Sequence, residues 1–136
     1  MAGIADAVAD LMIDWLTATG TPTRPLGVFL ALYTTNPDFG DGTGGTEATG
    51  GSYARIELTM SASSSRATAN SSGAHEFIVG TNLAADTYTG FGLYDAVTAG
   101  VFLGGATMAG GARTVASAGD KISYAVGAVD ITLPDA

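Results

Sequence analysis

The chain has 136 residues, with five basic and thirteen acidic side chains, a formal net charge of −8 and no cysteine. This charge argues against nucleic acid as a partner, and the missing thiols exclude disulfides, thiolate nucleophiles and cysteine-based zinc sites. Only 13% of the residues are charged whereas 46% are hydrophobic, so we expect much of the surface to contact other protein. We expect a single structural domain, 1–136, without a cofactor.

The first segment of the chain has the spacing of an amphipathic helix. Apolar residues recur at three- and four-residue steps from Ala2 to about Thr19, and Gly20 ends the pattern. Three aspartates lie nearly opposite this apolar face. We therefore predict an N-terminal helix within 1–20 and expect its apolar stripe to form an interface. The stripe contains Ile4, Val8, Leu11, Met12, Trp15 and Leu16, of which Ile4, Val8, Leu11 and Trp15 are the interface candidates.

Neither a signal peptide nor a membrane span is expected. The first fourteen residues lack a basic region and carry Asp6, Asp10 and Asp14, and the longest apolar run, Val28 to Tyr33, is far too short to cross a bilayer. The acidic helix face argues against anionic membranes. We expect synthesis in a cytoplasm and no membrane partner.

From residue 26 to residue 136 the pattern is that of short strands. Val28 to Thr34 is typical of a strand buried on both faces, and it is expected to lie under the helix, whereas Ser52 to Met60 alternates as a half-buried strand does. Roughly seven or eight such strands favour a mainly β fold, a β-sandwich or jelly roll of antiparallel strands. The other predicted strands are His75–Val79, Tyr88–Tyr94, Val101–Ala106, Arg113–Ala116 and Lys121–Leu133, the last broken at Gly127.

A Gly-rich loop is predicted over 35–52. It contains G-x-G-x-x-G at 40–45, but more loop follows instead of the helix that a dinucleotide site requires. Its acidic residues, Asp38, Asp41 and Glu47, are few for Ca²⁺ and lack the spacing of a calcium loop, which favours a solvated loop over a cation site. Because glycine is costly to immobilise, we expect the loop to be mobile in the free protein and ordered in an assembly. Phe39 in the loop and Tyr53 and Arg55 after it are further interface candidates.

No pattern in the sequence points to catalysis. His75 is the single histidine, no G-x-S-x-G motif accompanies it, and the acidic residues are dispersed. His75 alternates with Phe77 and Val79, which favours a packed position at a strand edge. We expect no enzymatic activity, no catalytic residue and no metal site.

Five stretches of the chain are distinctive: 28–37 (VFLALYTTNP), 42–47 (GTGGTE), 50–55 (GGSYAR), 90–96 (GFGLYDA) and the turn at 117–120 (SAGD). They resemble small bacteriophage virion proteins that are commonly labelled tail fibre or head decoration proteins. The resemblance covers nearly the whole chain. It implies a virion component, made in the host bacterium, that folds as a β-sandwich and has no catalytic site.

The resemblance leaves the position on the virion open. We expect a capsid decoration or cement protein that forms a homo-oligomer, with a trimer as the expected state, on a partner such as the major capsid protein. The alternative is a tail or fibre component, with a module that binds a host receptor or glycan as a further possibility. The scattered positions of Tyr53, Tyr88 and Tyr94 speak against a glycan site.

Overall fold

A computed structural model describes residues 3–64 and 67–132. The predicted helix start at Ala2 and strand end at Leu133 lie outside this part of the chain. Within it there is one helix, α1 (Asp6–Thr17), and no helix is long and apolar enough to cross a membrane. The described strands are β1 (Gly3–Ile4), β2 (Val28–Thr35), β3 (Thr46–Glu47), β4 (Ile56–Leu58), β5 (Ala67–Ala69), β6 (His75–Ile78), β7 (Asp86–Tyr88), β8 (Gly90–Tyr94), β9 (Phe102–Thr107), β10 (Arg113–Val115), β11 (Lys121–Tyr124) and β12 (Asp130–Thr132).

The largest sheet is antiparallel and is built around β2. Its order is β1-β9-β8-β2, and the two short strands β3 and β4 both pair with the far edge of β2. Leu30 of β2 lies opposite Leu93 of β8, and Ala31 lies opposite Gly92. Both Leu30 and Ala31 are buried, although they point to opposite faces, so the predicted strand with two buried faces is confirmed.

The second half of the chain forms one long, interrupted hairpin around the turn between β8 and β9. Outside the β8–β9 pair, β7 pairs with β10, β6 with β11 and β5 with β12, all antiparallel. The outer three pairs lie outside the large sheet as separate two-stranded ladders. From the turn outward, representative partners are Gly92 with Gly105, Thr87 with Thr114, Phe77 with Ile122, and Thr68 with Ile131.

The hydrophobic core combines residues of the large sheet with residues of the outer ladders. This sandwich-like packing confirms the mainly β prediction, because side chains from two layers meet in one cluster. Burial of the core removes apolar surface from water, which is the main source of stability for a domain of this size. The core includes Leu30, Leu32, Leu58, Phe77, Tyr88, Phe91, Leu93, Ile122 and Val129.

The opposite face of the large sheet is covered by the Gly-rich loop. A Cβ on Gly105 would lie 2.5 Å from the Phe91 carbonyl oxygen and 2.8 Å from the Phe39 ring, so only glycine permits this close approach. Inside the loop, the Asp38 N–H donates to the Thr43 carbonyl at 2.8 Å. The segment predicted as loop throughout therefore packs on the sheet and contains β3; its mobility in solution stays a prediction.

The helix differs from its prediction in length and position. It begins at Asp6 instead of Ala2, because Ala5 is extended and Ile4 pairs with Gly104 at the sheet edge. Ile4 therefore belongs to β1 and not to the helix stripe. The main contact of α1 is with β9, so the expectation that β2 lies under the helix is wrong.

Two other predicted strands change in detail, and a third breaks where predicted. The alternating stretch 52–60 forms a strand only at β4, because Arg55 turns inward to an ion pair. The predicted strand Tyr88–Tyr94 divides at Thr89, whose hydroxyl hydrogen-bonds with the Asn36 side-chain oxygen at 2.8 Å. The predicted break at Gly127 is confirmed, since this residue has a φ of 78° between β11 and β12.

Candidate functional site

The helix is attached to the sheet at its beginning and is otherwise little covered. Ala5, which precedes it, is buried, and its N–H donates to the Leu103 carbonyl at 3.0 Å. The Asp6 N–H donates to the Gly40 carbonyl at 2.7 Å, which ties the helix to the Gly-rich loop. The helix ends at Thr17, and the C-cap residue Ala18 adopts the left-handed conformation. No residue of α1 is buried, so the rest of the domain does not cover the apolar stripe of this helix.

An open cavity of about 980 Å³ lies between α1, the segment 21–26 and the β8–β9 turn. We call it the α1 groove. Its lining is mainly apolar, with Arg24 and Asp95 as the charged residues. The residues that line it are Val8, Leu11, Met12, Trp15, Thr21, Pro22, Thr23, Arg24, Pro25, Leu26, Asp95, Ala96, Gly100, Val101 and Leu103.

Large apolar side chains are exposed around the α1 groove. Trp15 is 71% exposed, Leu16 72% and Leu26 92%, whereas Leu11 is partly covered at 38%. Isolated exposed apolar residues are normal, but a contiguous set of this kind marks an interaction surface. Three of the predicted interface candidates, Val8, Leu11 and Trp15, therefore line the same surface. Leu26 was not predicted, because one leucine between Pro25 and Gly27 has no periodic pattern around it.

The other predicted interface candidates have internal roles. Arg55 donates from Nε to Glu47 Oε1 at 2.9 Å and from Nη2 to Glu47 Oε2 at 2.8 Å, and its side chain is only 8% exposed. The Tyr53 hydroxyl donates to Glu47 Oε1 at 3.1 Å and accepts from the Leu32 N–H at 3.1 Å. These contacts join the end of the Gly-rich loop to β2. We call Glu47, Tyr53, Arg55, Tyr33 and Tyr94 the Arg55 cluster.

The aromatic members of the Arg55 cluster enclose the ion pair. The Arg55 guanidinium carbon lies 3.4 Å from the centroid of the Tyr94 ring, a cation–π contact, and the Tyr94 hydroxyl hydrogen-bonds with that of Tyr33. Burial raises the pKa of Tyr53, and burial together with the Tyr94 hydrogen bond raises the pKa of Tyr33. Burial alone would lower the pKa of Arg55, but the hydrogen bonds and charge of Glu47 outweigh it and raise the pKa. Tyr33, Tyr53 and Arg55 therefore keep their protons at neutral pH. The Arg55 cluster holds the end of the Gly-rich loop against the sheet.

The acidic residues of the Gly-rich loop do not converge. Asp38 accepts from the Gly40 N–H at 2.8 Å, and Asp41 accepts from the Thr43 N–H at 2.8 Å. The third acidic residue, Glu47, binds Arg55 instead. Within residues 3–64 and 67–132 no three histidine or acidic side chains form a group that could hold a metal ion.

His75 lies in β6 directly opposite Tyr124 of β11. Its Nε2 and the Tyr124 hydroxyl are both buried and have no hydrogen-bond partner among the described residues. The half-buried position agrees with the predicted strand location. The neighbouring Phe77 is buried in the core and stacks on Tyr53 at 5.9 Å between ring centroids.

The sequence was compared with models of known protein families. The model of the podophage GP4 fiber I protein gp80 family matches residues 3–132. This chain belongs to that family. A search of the curated proteins found no match.

The family assignment confirms the resemblance to phage virion proteins labelled as tail fibre, and it makes this chain a virion structural protein. Of the two virion locations considered from the sequence, the fibre agrees better with the family description than the capsid surface does. The match includes α1, the Gly-rich loop and the Arg55 cluster. The motif that carried the resemblance, TE at 46–47 and YAR at 53–55, is thus the one that builds the Arg55 cluster.

Proposed function

We propose that this fibre-family member is a non-enzymatic structural component of a phage fibre and that it assembles with further copies of itself through the α1 groove. The observation that carries the proposal is the exposed apolar surface of α1 and Leu26. A fibre is built from repeated protein–protein contacts. Such contacts need a surface whose apolar residues become covered only after assembly.

The exposed area and the residue types of this surface support the binding of a protein partner in the α1 groove. Trp15, Leu16 and Leu26 each expose most of their side chain. Burial of apolar area contributes about 25 cal/mol per Å², so a partner that covers these three residues gains several kcal/mol before the costs of association. Tryptophan is also the residue type most enriched among energetically dominant interface positions.

The shape of the surface supports a second copy as the occupant. Leu16 of α1 is exposed beside a concave groove of about 980 Å³ on the same molecule, and Trp15 lines that groove. A protrusion of one copy can enter the groove of the next in a head-to-tail contact, and such contacts close into rings when the rotation between copies permits. We propose a trimer as that ring, which suits the axis of a fibre; this number rests on the family and not on the residues.

Charge also favours a directional contact between copies. Arg24 lines the α1 groove and makes no hydrogen bond or ion pair with any residue in the described part of the chain. Asp10 on α1 is exposed and belongs to the acidic stripe. In a head-to-tail arrangement Arg24 of one copy can face Asp10 of its neighbour. Such a pair at the rim contributes to specificity and orientation more than to affinity.

The non-enzymatic part of the proposal is supported by how the polar side chains are used. The carboxylates of Asp38 and Asp41 bond within their own loop, and that of Glu47 bonds to Arg55. General acid–base chemistry needs groups that converge on a substrate. These three carboxylates serve separate structural contacts.

The location on the particle is tested by immunogold electron microscopy with an antibody against this chain, combined with a copy count from mass spectrometry of purified particles. We expect label on the fibres and a copy number that is a small multiple of the fibre number. Label over the whole capsid, with hundreds of copies per particle, would contradict the fibre and support a decoration protein bound to the major capsid protein.

A further inference from the structure

A second cavity lies between β11 and the turn that joins β9 to β10. It has a volume of about 240 Å³, which is smaller than a drug-sized site and suits one sugar ring. We call it the β11 pocket. Its lining residues are Phe91, Thr107, Met108, Ala109, Arg113, Lys121, Ile122, Ser123, Tyr124 and Ala128.

The two cationic side chains that line the β11 pocket differ in whether they already form an ion pair. Lys121 Nζ lies 2.6 Å from Glu76 Oε1, so its charge is neutralised by a neighbour. Arg113 has no hydrogen bond or ion pair with any residue in 3–64 and 67–132. Its guanidinium offers a planar pair of donors that match a carboxylate. In a chain of net charge −8, a free arginine at a cavity is the place where an anionic group can be held.

The wall of the β11 pocket has aromatic and hydroxyl groups beside this cation. Phe91 and Tyr124 contact each other edge to face, with ring centroids 5.6 Å apart. The Tyr124 hydroxyl is buried without a partner in the described part of the chain, and such a donor gains from an acceptor. Burial raises the pKa of Tyr124, while the charge of Arg113, which lines the same pocket, acts in the opposite direction. Thr107 adds a further hydroxyl, whereas the hydroxyl of Ser123 donates to Glu76 Oε1 at 3.4 Å.

We infer that the β11 pocket binds a single acidic sugar residue, with the carboxylate on Arg113 and the sugar ring against the aromatic wall. A sugar presents both an apolar C–H face and hydroxyls, which this wall can contact. The carboxylate of Glu76 is bonded to two residues that line the pocket, Lys121 and Ser123, and the charge of Lys121 neutralises it, so it opposes an anion on Arg113 only weakly. The inference goes beyond the structural role and does not depend on the α1 groove.

The test is an NMR titration of the ¹⁵N-labelled protein with three probes, D-glucuronate, D-glucose and benzoate. We expect saturable shifts at residues 107–113 and 121–124 with D-glucuronate at a Kd of about 1 mM. D-glucose and benzoate should bind at least about tenfold more weakly, because each lacks one of the two recognised features. Arg113→Gln should abolish the preference for D-glucuronate over D-glucose, while Arg24→Gln, which removes the free cation of the α1 groove, should keep it.

Absence of saturable shifts with D-glucuronate at about 10 mM would overturn the inference. Equal D-glucuronate affinity in wild type and Arg113→Gln would overturn it as well. Tighter binding of benzoate than of D-glucuronate would show an apolar acid site and not a sugar site. The spectra of both variants report their folding directly, so a loss of binding by an unfolded variant is recognised and is repeated with Arg113→Lys.

Discussion

The guanidinium of Arg55 holds the carboxylate of Glu47 through two hydrogen bonds, at 2.9 and 2.8 Å, and its Nη1 donates to the carbonyls of Ala96 and Ala99 at 3.0 and 2.6 Å. One side chain thereby joins the Gly-rich loop to the β8–β9 turn. That turn contributes Ala96 and Gly100 to the α1 groove. The Arg55 cluster therefore supports the candidate assembly surface from behind without being part of it.

Arg55→Lys should destabilise the protein although the charge is kept. Lysine cannot form the two parallel bonds to Glu47 and also reach the Ala96 and Ala99 carbonyls, because its single ammonium is not a planar fork. We expect a loss of about 3 kcal/mol in the free energy of unfolding, as for other broken buried pairs. Urea denaturation measures it. Lys121→Gln, which removes the exposed pair with Glu76, is the control and should change little; equal effects would contradict the assignment.

Asn70→Ala should be among the most destabilising polar substitutions. Asn70 is 1% exposed, its Nδ2 donates to the Ala125 carbonyl at 3.0 Å, and its Oδ1 accepts from the Val129 N–H at 2.9 Å. Alanine leaves the buried Val129 N–H without its partner, at a cost of about 1–3 kcal/mol, whereas the Ala125 carbonyl keeps its hydrogen bond from the Ala128 N–H. Thermal unfolding compares this variant with Ser71→Ala, an exposed neighbour. A melting temperature no lower than that of the control would refute the role.

Gly105→Ala should weaken the contact between the Gly-rich loop and the sheet. The new Cβ would lie 2.5 Å from the Phe91 carbonyl and 2.8 Å from the Phe39 ring, so backbone or loop must shift. We expect a loss of about 1–3 kcal/mol, as in other overpacked sites, together with faster hydrogen exchange over 38–43. Gly20→Ala is the control, because its new Cβ meets nothing nearer than 3.7 Å. Unchanged exchange in Gly105→Ala would show that the loop is not held there.

Acid should destabilise the turn between β10 and β11. Hydrogen bonds from the Ser117 and Ala116 N–H groups lower the pKa of Asp120 below its ordinary value of 3.8. A carboxyl with a lowered folded pKa contributes stability that is complete above 3.8 and is lost as the pH falls through the folded pKa. Melting temperatures measured downward from neutral pH should therefore fall less steeply below this value for Asp120→Asn than for wild type. Parallel curves would contradict this.

Local patterns in the sequence were sufficient to predict those elements that can be identified without knowing their tertiary contacts. The apolar run of β2 and the break at Gly127 follow from composition and backbone preference alone. The start of α1 was misplaced because Ile4 fits the helical period but pairs with Gly104, a residue far along the chain.

The Arg55 cluster and Asn70 could not be predicted for the same physical reason. Arg55 occupies an outward position in the alternating pattern of 52–60, but its bonds reach Ala96 and Ala99. Asn70 lies in a polar, Ser-rich stretch that indicates exposure, yet it is fixed by Ala125 and Val129. Tertiary hydrogen bonds between distant segments leave no periodic signal. The exposed face of α1 was predicted, because an amphipathic stripe is a local pattern.

The central claim is that the surface of α1 and its groove joins copies of this chain. Sedimentation velocity of the purified protein at micromolar concentration, for wild type, Trp15→Glu and Val126→Glu, tests it most directly. Trp15 is 71% exposed and Val126 58%, so neither change should unfold the domain, and only Trp15 lines the groove. The account predicts a three-chain species for wild type and Val126→Glu and a monomer for Trp15→Glu. A monomeric wild type, or a Trp15→Glu variant that still forms the wild-type assembly, would contradict it.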